Sequence, residues 1–109
     1  YVSNIIEGLL IITLKINSSY KPINLGSNKP IQIKSLVKKI HKFTNSKSKL
    51  KIGKKKYRPN EIWKMQADNR FVIQKTNWRP QIKLDEGLQI SINWYRRFIQ
   101  AYYRRKNSI

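Results

Sequence analysis

Apolar residues recur three or four positions apart in three segments of the chain, which is the spacing of one face of an α-helix, and a capping residue predicts a fourth, shorter helix. The predicted helices cover residues 2–16, 35–43, 69–75 and 84–105. Asn4 is the expected N-cap of the first helix, and Asp68 is the expected cap of the third. Asp85 and Glu86 open the last helix and basic residues close it, as the helix dipole favours at each end.

The last predicted helix carries the longest apolar stripe. Its expected core-facing members are Leu84, Leu88, Ile92, Tyr95, Ile99 and Tyr102. Trp78 and Trp94 lie at a turn and on this helix, where aromatic side chains belong to a core more often than to a platform for nucleic-acid bases. His41 lies on the lysine-rich side of the second helix, which indicates a surface residue.

Short segments of alternating polarity separate the helices. Residues 20–25, 31–33 and 49–52 alternate between apolar and polar side chains, which predicts short β-strands. Helices interspersed with strands predict an α/β fold class. The length of 109 residues allows a single domain, which we place at residues 1–109.

Charge is the strongest compositional feature, with 24 Lys and Arg against 5 Asp and Glu and a formal net charge of +19. Such a field attracts polyanions of any kind, so non-specific polyanion binding is expected. A selected nucleic-acid surface and the codon bias of an AT-rich genome explain the excess of lysine equally well. The chain has no cysteine and one histidine, which excludes disulfides and histidine metal clusters. The longest apolar stretch, residues 5–16, is too short to span a bilayer, so we expect a cytoplasmic protein without a membrane span.

Few residues offer catalytic chemistry. Asp85 and Glu86 point in different directions on one helix, and the four glycines are isolated rather than grouped in a phosphate-binding loop. Tyr102 and Lys106 match a Tyr-x-x-x-Lys spacing, which we interpret as accidental in an arginine-rich helix end. We therefore predict no catalytic residue and no metal site in this chain.

One loop is a candidate binding site. Pro59 keeps Arg58 out of helical geometry, and a fixed arginine after a run of lysines suits bidentate binding of a diphosphate. Glu61 is placed to accept a hydrogen bond from a sugar or ribose hydroxyl. A surface ion pair between Arg58 and Glu61 explains the same pattern equally well.

Six motifs occur in an order that resembles the C-terminal part of extended short-chain dehydrogenases/reductases, the nucleotide-sugar epimerase/dehydratase family. These motifs are residues 1–8 (YVSNIIEG), 23–27 (INLGS), 58–62 (RPNEI), 67–69 (ADN), 76–80 (TNWRP) and 84–88 (LDEGL). The sequences of these motifs most resemble those of sugar-nucleotide 4,6-dehydratases. Asn4 stands where the family has Asp, and Asn77 stands where it has Gly, at a helix end that favours a left-handed residue.

The resemblance implies the substrate-binding lobe of a Rossmann-type enzyme. NAD and the catalytic Tyr and Lys would belong to an N-terminal part outside this chain, and the partner would be a nucleoside diphosphate-sugar. By the same resemblance Arg58 would contact the diphosphate and Glu61 the ribose or its surroundings, while Trp78 and Trp94 would be structural. The resemblance is also compatible with a homodimer of the intact enzyme.

Two other hypotheses compete with this one. The first is a basic nucleic-acid-binding module that uses residues 34–58 and the arginine-rich last helix. The second is a non-functional remnant of such an enzyme that does not fold alone.

Overall fold

Four α-helices make up the regular secondary structure of residues 1–17 and 21–106, the part of the chain that the computed structural model describes. They are α1 (Val2–Lys15), α2 (Ile33–Thr44), α3 (Arg70–Thr76) and α4 (Leu84–Lys106). The four predicted helices are confirmed, each with ends within two residues of the predicted ones.

Asparagine ends two of these helices. Asn45 after α2 and Asn77 after α3 both adopt left-handed backbone angles, with φ of 50° and 61°. The Asn77 N–H donates to the carbonyl of Ile73, so the last turn of α3 keeps a partner for its carbonyl. The predicted left-handed role of Asn77 is thereby confirmed, because asparagine tolerates this region better than other residues with a Cβ.

The predicted α/β fold class is wrong for the described residues, which contain helices and no strand. Residues 21–25 and 49–52 run without regular structure, and Ile33 is the first residue of α2 rather than part of a strand. Tyr20, the first residue of one predicted strand, lies outside the described residues. A strand needs a neighbour to exchange backbone hydrogen bonds with, and in the described part of the chain no ladder of such bonds runs along residues 22–25 or 49–52.

A small core forms where α1 packs against α3 and the loops on either side of α3. Val72 is fully buried and Trp78 is 3% exposed; these are the buried apolar side chains of the described residues. Gly8 of α1 allows the close approach, because a Cβ there would lie 3.0 Å from the Trp78 ring and 2.9 Å from a Leu25 methyl group. The core is therefore built around one indole ring.

The second contact between helices joins α2 to α4. Lys39 Nζ and Asp85 Oδ2 form a salt bridge of 2.7 Å, and Arg96 donates to the carbonyl of Phe43 at 3.2 Å. The predicted core stripe of α4 is wrong over most of its length, since Tyr95, Ile99 and Tyr102 are at least half exposed. The reason is that α4 extends past α2 without a further element to cover it.

The chain as a whole is extended. Its radius of gyration is 18.6 Å, whereas a compact domain of this length has about 13 Å. Its accessible surface is 10322 Å², against roughly 6,300 Å² for a folded monomer of 13.0 kDa. Much of the excess is apolar side chain on α1 and α4. None of the described helices is both long and apolar enough to cross a membrane.

Candidate functional site

Arg58 and Glu61 occupy the two ends of one tight turn. The Glu61 N–H donates to the Arg58 carbonyl at 3.2 Å, with Pro59 and Asn60 between them. Proline fixes φ near the value that the second residue of such a turn requires, so the sequence Arg-Pro-Asn-Glu closes the loop locally. The structure thus places both predicted binding residues on one short segment.

Both side chains of this turn are exposed to solvent. Within residues 1–17 and 21–106, the salt bridges join Lys39 to Asp85 and Arg70 to Asp68, so the alternative of an Arg58–Glu61 ion pair is not realised. The guanidinium and the carboxylate are therefore available to a ligand. Their backbone is held in place although no helix contributes to the turn.

Two aromatic rings flank the turn and were not singled out from the sequence. The ring centroids of Tyr57 and Trp63 lie 4.5 Å apart with their planes tilted by 54°. The two side chains are 72% and 74% exposed, far more than aromatic residues of a core. The sequence signal that could have identified this pair is its position. One aromatic residue lies on each side of a turn that contains proline, and the turn brings its two ends together.

Basic residues surround this aromatic pair. Residues 51–66 contain one carboxylate, that of Glu61. Every residue of the segment is exposed, although the rings of Tyr57 and Trp63 pack on each other. The basic members are Lys51, Lys54, Lys55, Lys56, Arg58 and Lys64. We call residues 51–66 the basic loop.

Asn4 does not cap α1 as predicted. It lies inside the helix, and its side chain fastens the segment before α4: Oδ1 accepts from the N–H groups of Gln81 (3.1 Å) and Ile82 (3.0 Å), and Nδ2 donates to the Ile82 carbonyl at 2.8 Å. An asparagine provides both an acceptor and a donor for this peptide, whereas an aspartate provides acceptors alone. The three bonds bring the start of α1 to the start of α4.

The ADN motif holds the loop before α2. Asn69 donates to the Gly26 carbonyl at 2.7 Å, and a Cβ on Gly26 would lie 2.8 Å from the Ala67 Cβ. Gly8 lies against Trp78, and Gly87 lies against Tyr1. With these contacts, five of the six motifs quoted above pack on one another through the small core or beside it. The Arg58–Glu61 turn is the motif that projects away.

Asp68 and Arg70 form the most strongly coupled charged pair of the described residues. The Arg70 guanidinium donates to both carboxylate oxygens, at 2.6 Å in the shortest contact, and the Arg70 backbone N–H donates to Oδ1 at 3.1 Å. These hydrogen bonds, the side-chain ones first, lower the pKa of Asp68 to about 2. Asn69 is the N-cap of α3, so the predicted cap lies one residue earlier but still satisfies a free N–H.

The other predicted residues have mixed outcomes. Trp78 is buried as expected, whereas Trp94 is 57% exposed and the prediction that it belongs to the core is wrong. His41 is half-buried rather than a free surface residue, and its Nε2 lies 2.8 Å from the Ser48 carbonyl. The described residues hold no group of three potential metal ligands.

Trp94 belongs instead to a ladder of rings along α4. Trp94 and Phe98 stack at 5.3 Å with planes 7° apart, and Phe98 stacks on Tyr102 at 6.4 Å. The ladder follows the four-residue spacing of neighbours on one helix face. Tyr102 is thus engaged with a ring, and the side chain of Lys106 lies outside the described part of the chain.

Comparison with known proteins gives two similar sequences. An uncharacterized protein of Methanocaldococcus jannaschii is 28% identical over 98 residues, which cover 87% of this chain and 28% of that protein. GDP-mannose 3,5-epimerase of Arabidopsis thaliana is 26% identical over 101 residues, which cover 92% of this chain and 25% of the epimerase. No protein-family profile and no solved structure matches the chain.

The similarity supports a relationship of the epimerase type. The chain spans about a quarter of the length of the curated relatives it matches. Neither relative's name refers to a dehydratase, so the comparisons give the 4,6-dehydratase interpretation no specific support.

Proposed function

We propose that this chain is the substrate-binding part of an epimerase-like enzyme that acts on a nucleoside diphosphate-sugar. The observation that carries the proposal is the similarity to a GDP-mannose 3,5-epimerase over 92% of the chain. Five sequence motifs pack around one small core, so the residues that carry the resemblance are also those that set the local structure. Within this proposal, a 4,6-dehydratase reaction on the same class of substrate is the alternative to an epimerase reaction.

Arg58 and Glu61 are the proposed ligands of the substrate. The Arg58 guanidinium presents several donors in a plane, which suits the oxygens of a diphosphate. Glu61 provides an acceptor for a ribose hydroxyl three residues further on, and the turn between them fixes their backbone spacing. Both side chains are exposed and unpaired with each other, as a site that awaits a ligand requires.

NAD is the proposed cofactor of the intact enzyme, and another part of the protein would bind it. The glycines of this chain do not fit that role, because Gly8 and Gly87 lie inside helices and Gly26 and Gly53 are isolated. When bound, NAD would oxidise C4 of the sugar and later return the hydride. This chain would bind and orient the substrate, and the apolar faces of α1 and α4 would pack against the remainder of the enzyme.

The proposal is tested by binding of a nucleoside diphosphate-sugar, with GDP-mannose as the first probe, to the intact protein by calorimetry. We expect Arg58→Ala to weaken binding by about 10- to 100-fold, since a charge-assisted hydrogen bond contributes roughly 1.5–3 kcal/mol. NAD binding should be unchanged. Arg79→Ala is a matched control, because Arg79 is also exposed and also precedes a proline, Pro80.

Equal affinity in Arg58→Ala and the parent would remove Arg58 from the site. An equal loss in Arg79→Ala would show that the effect is one of net charge alone. No binding of any nucleoside diphosphate-sugar by the intact protein would refute the function itself, as the hypothesis of a non-functional remnant predicts.

A further inference from the structure

The basic loop has two features that the proposed function does not use. One is the exposed pair of Tyr57 and Trp63, and the other is the number of cations around it, which exceeds what one diphosphate requires. We propose that the basic loop also binds single-stranded nucleic acid, with bases stacked on Tyr57 and Trp63 and phosphates held by the lysines and Arg58.

The geometry of the aromatic pair favours bases as its partner. Its rings touch each other at 4.5 Å with planes tilted by 54°, yet each side chain leaves more than two thirds of its surface in solvent. Tyr and Trp are enriched at interfaces, and every base offers a flat π-face to stack on. Stacking of this kind does not depend on base identity, so the proposal concerns single strands of any sequence.

The charge of the loop favours a phosphate backbone. Three consecutive lysines, 54–56, lead directly into Tyr57, and Lys64 directly follows Trp63, so each ring has a cation beside it in the chain. Alternation of stacking rings and cations is the arrangement that single strands require, since each nucleotide presents one base and one phosphate. A duplex hides its base faces and would leave both rings unused.

The aromatic ladder of α4 is the other exposed aromatic surface, but it is less suited to bases. Trp94, Phe98 and Tyr102 stack on one another at 5.3 and 6.4 Å with planes 7° and 22° apart, so the middle ring has a neighbouring ring on each side. Trp94 therefore provides a matched control: a tryptophan of comparable exposure, outside the basic loop.

Binding is measured by fluorescence anisotropy of the full chain with a labelled oligothymidylate of about 12 nucleotides, within the range of site sizes of single-strand binders. We expect Trp63→Ala to weaken binding at least about fivefold, because one stacked base is worth roughly 1–3 kcal/mol. Trp94→Ala should leave the affinity within about twofold of the parent, at the scale of error for a distant exposed site. Circular dichroism verifies that the helices of both variants are retained.

The salt dependence tests the cations separately. A single strand loses affinity with a slope of about −0.7 per phosphate contact, so Lys54→Gln, Lys55→Gln and Lys56→Gln combined should reduce the slope by about 2. Glu61→Gln should strengthen oligonucleotide binding up to about fivefold by removing the loop's one negative charge. The same variant should weaken binding of the nucleoside diphosphate-sugar, so the two proposals fail or succeed independently.

Three outcomes would overturn the inference. The first is binding of inorganic polyphosphate as tight as that of the oligonucleotide together with no effect of Trp63→Ala, which would leave a surface that attracts any polyanion. The second is an effect of Trp94→Ala in place of Trp63→Ala. The third is an oligonucleotide affinity too weak to measure at low salt.

Discussion

At the scale of single residues, the side chain of Asn4 shows how a polar residue acts over a long distance in the sequence. It makes three hydrogen bonds to the peptide of residues 81–82, which is 77 and 78 positions away. The local pattern predicted an N-cap, because asparagine near a helix start most often has that role. The residues around Asn4 carry no information about residues 81–82, so this hydrogen-bond partner of Asn4 could not be predicted.

Replacement of Asn4 tests this contact. We expect Asn4→Ala to destabilise the chain by about 1–3 kcal/mol, since it leaves the N–H groups of Gln81 and Ile82 without their acceptor in a partly buried place. The measurement is urea denaturation followed by circular dichroism. Asn93→Ala is the control, because Asn93 is an exposed residue of α4 and alanine is the better helix former. Equal midpoints for the two variants would show that water replaces the three bonds without cost.

The candidate site was partly predictable at this same scale. Arg58 was identified because proline restricts the residue before it, and Glu61 because a carboxylate accepts from a sugar hydroxyl. The structure closes a turn between the two, while their role as ligands stays a prediction. Trp63 was missed because an isolated tryptophan in an irregular segment has no periodicity to mark it. Its relation to Tyr57 depends on a turn closing, which is a three-dimensional property.

At the scale of elements, helices were predicted well and strands were not. Each helix satisfies its own backbone, so its apolar spacing suffices to identify it. A strand depends on a neighbour, and alternation over four to six residues cannot show whether one exists. In residues 21–28 the chain is held instead by Leu25 packing on Gly8 and by the bond from Asn69 to Gly26.

The contact of α1 with the core depends on Gly8. We expect Gly8→Ala to destabilise the chain relative to Gly87→Ala, although alanine improves helix propensity by about 1 kcal/mol at either position. At Gly8 the new methyl group meets the buried Trp78 ring at 3.0 Å. At Gly87 it meets the Cβ of Tyr1 at 3.0 Å, and Tyr1 is 43% exposed and lies outside the core, so fewer packed side chains have to move there.

The difference between the two melting temperatures is the measurement for this pair. A lower value for Gly8→Ala is expected, and a rise of similar size in both variants would contradict the close packing of α1 on Trp78. Fluorescence of the buried indole provides a second readout, because a displaced Trp78 becomes accessible to quenchers.

At the scale of the whole molecule, the exposed apolar surface is the dominant feature. The accessible area exceeds that of a compact chain of equal mass by roughly 4,000 Å². Monomeric proteins rarely expose apolar patches of more than a few hundred Å². The exposed apolar faces of α1 and α4 are therefore suited to association with other protein surfaces.

Self-association of the isolated chain is the expected result. We predict that Leu10→Lys with Leu14→Lys shifts the chain from oligomer to monomer in sedimentation velocity, because both leucines are mostly exposed on α1. Thr13→Lys is the control, since it adds a charge to the same helix at an exposed polar position. A parent chain that is monomeric with a radius of gyration near 13 Å would contradict the prediction.

The three described residues other than glycine that have positive φ are all asparagines: Asn28, Asn45 and Asn77. Glycine is the usual residue at such positions, and its codons consist mainly of G and C, whereas those of asparagine begin with two adenines. Mutational pressure toward A and T can therefore replace glycine by asparagine at little energetic cost where the backbone is left-handed. Gly8 cannot be replaced in this way, because the Trp78 ring leaves no room for a side chain there. Under such mutational pressure, base composition and steric fit together determine which glycines can be replaced.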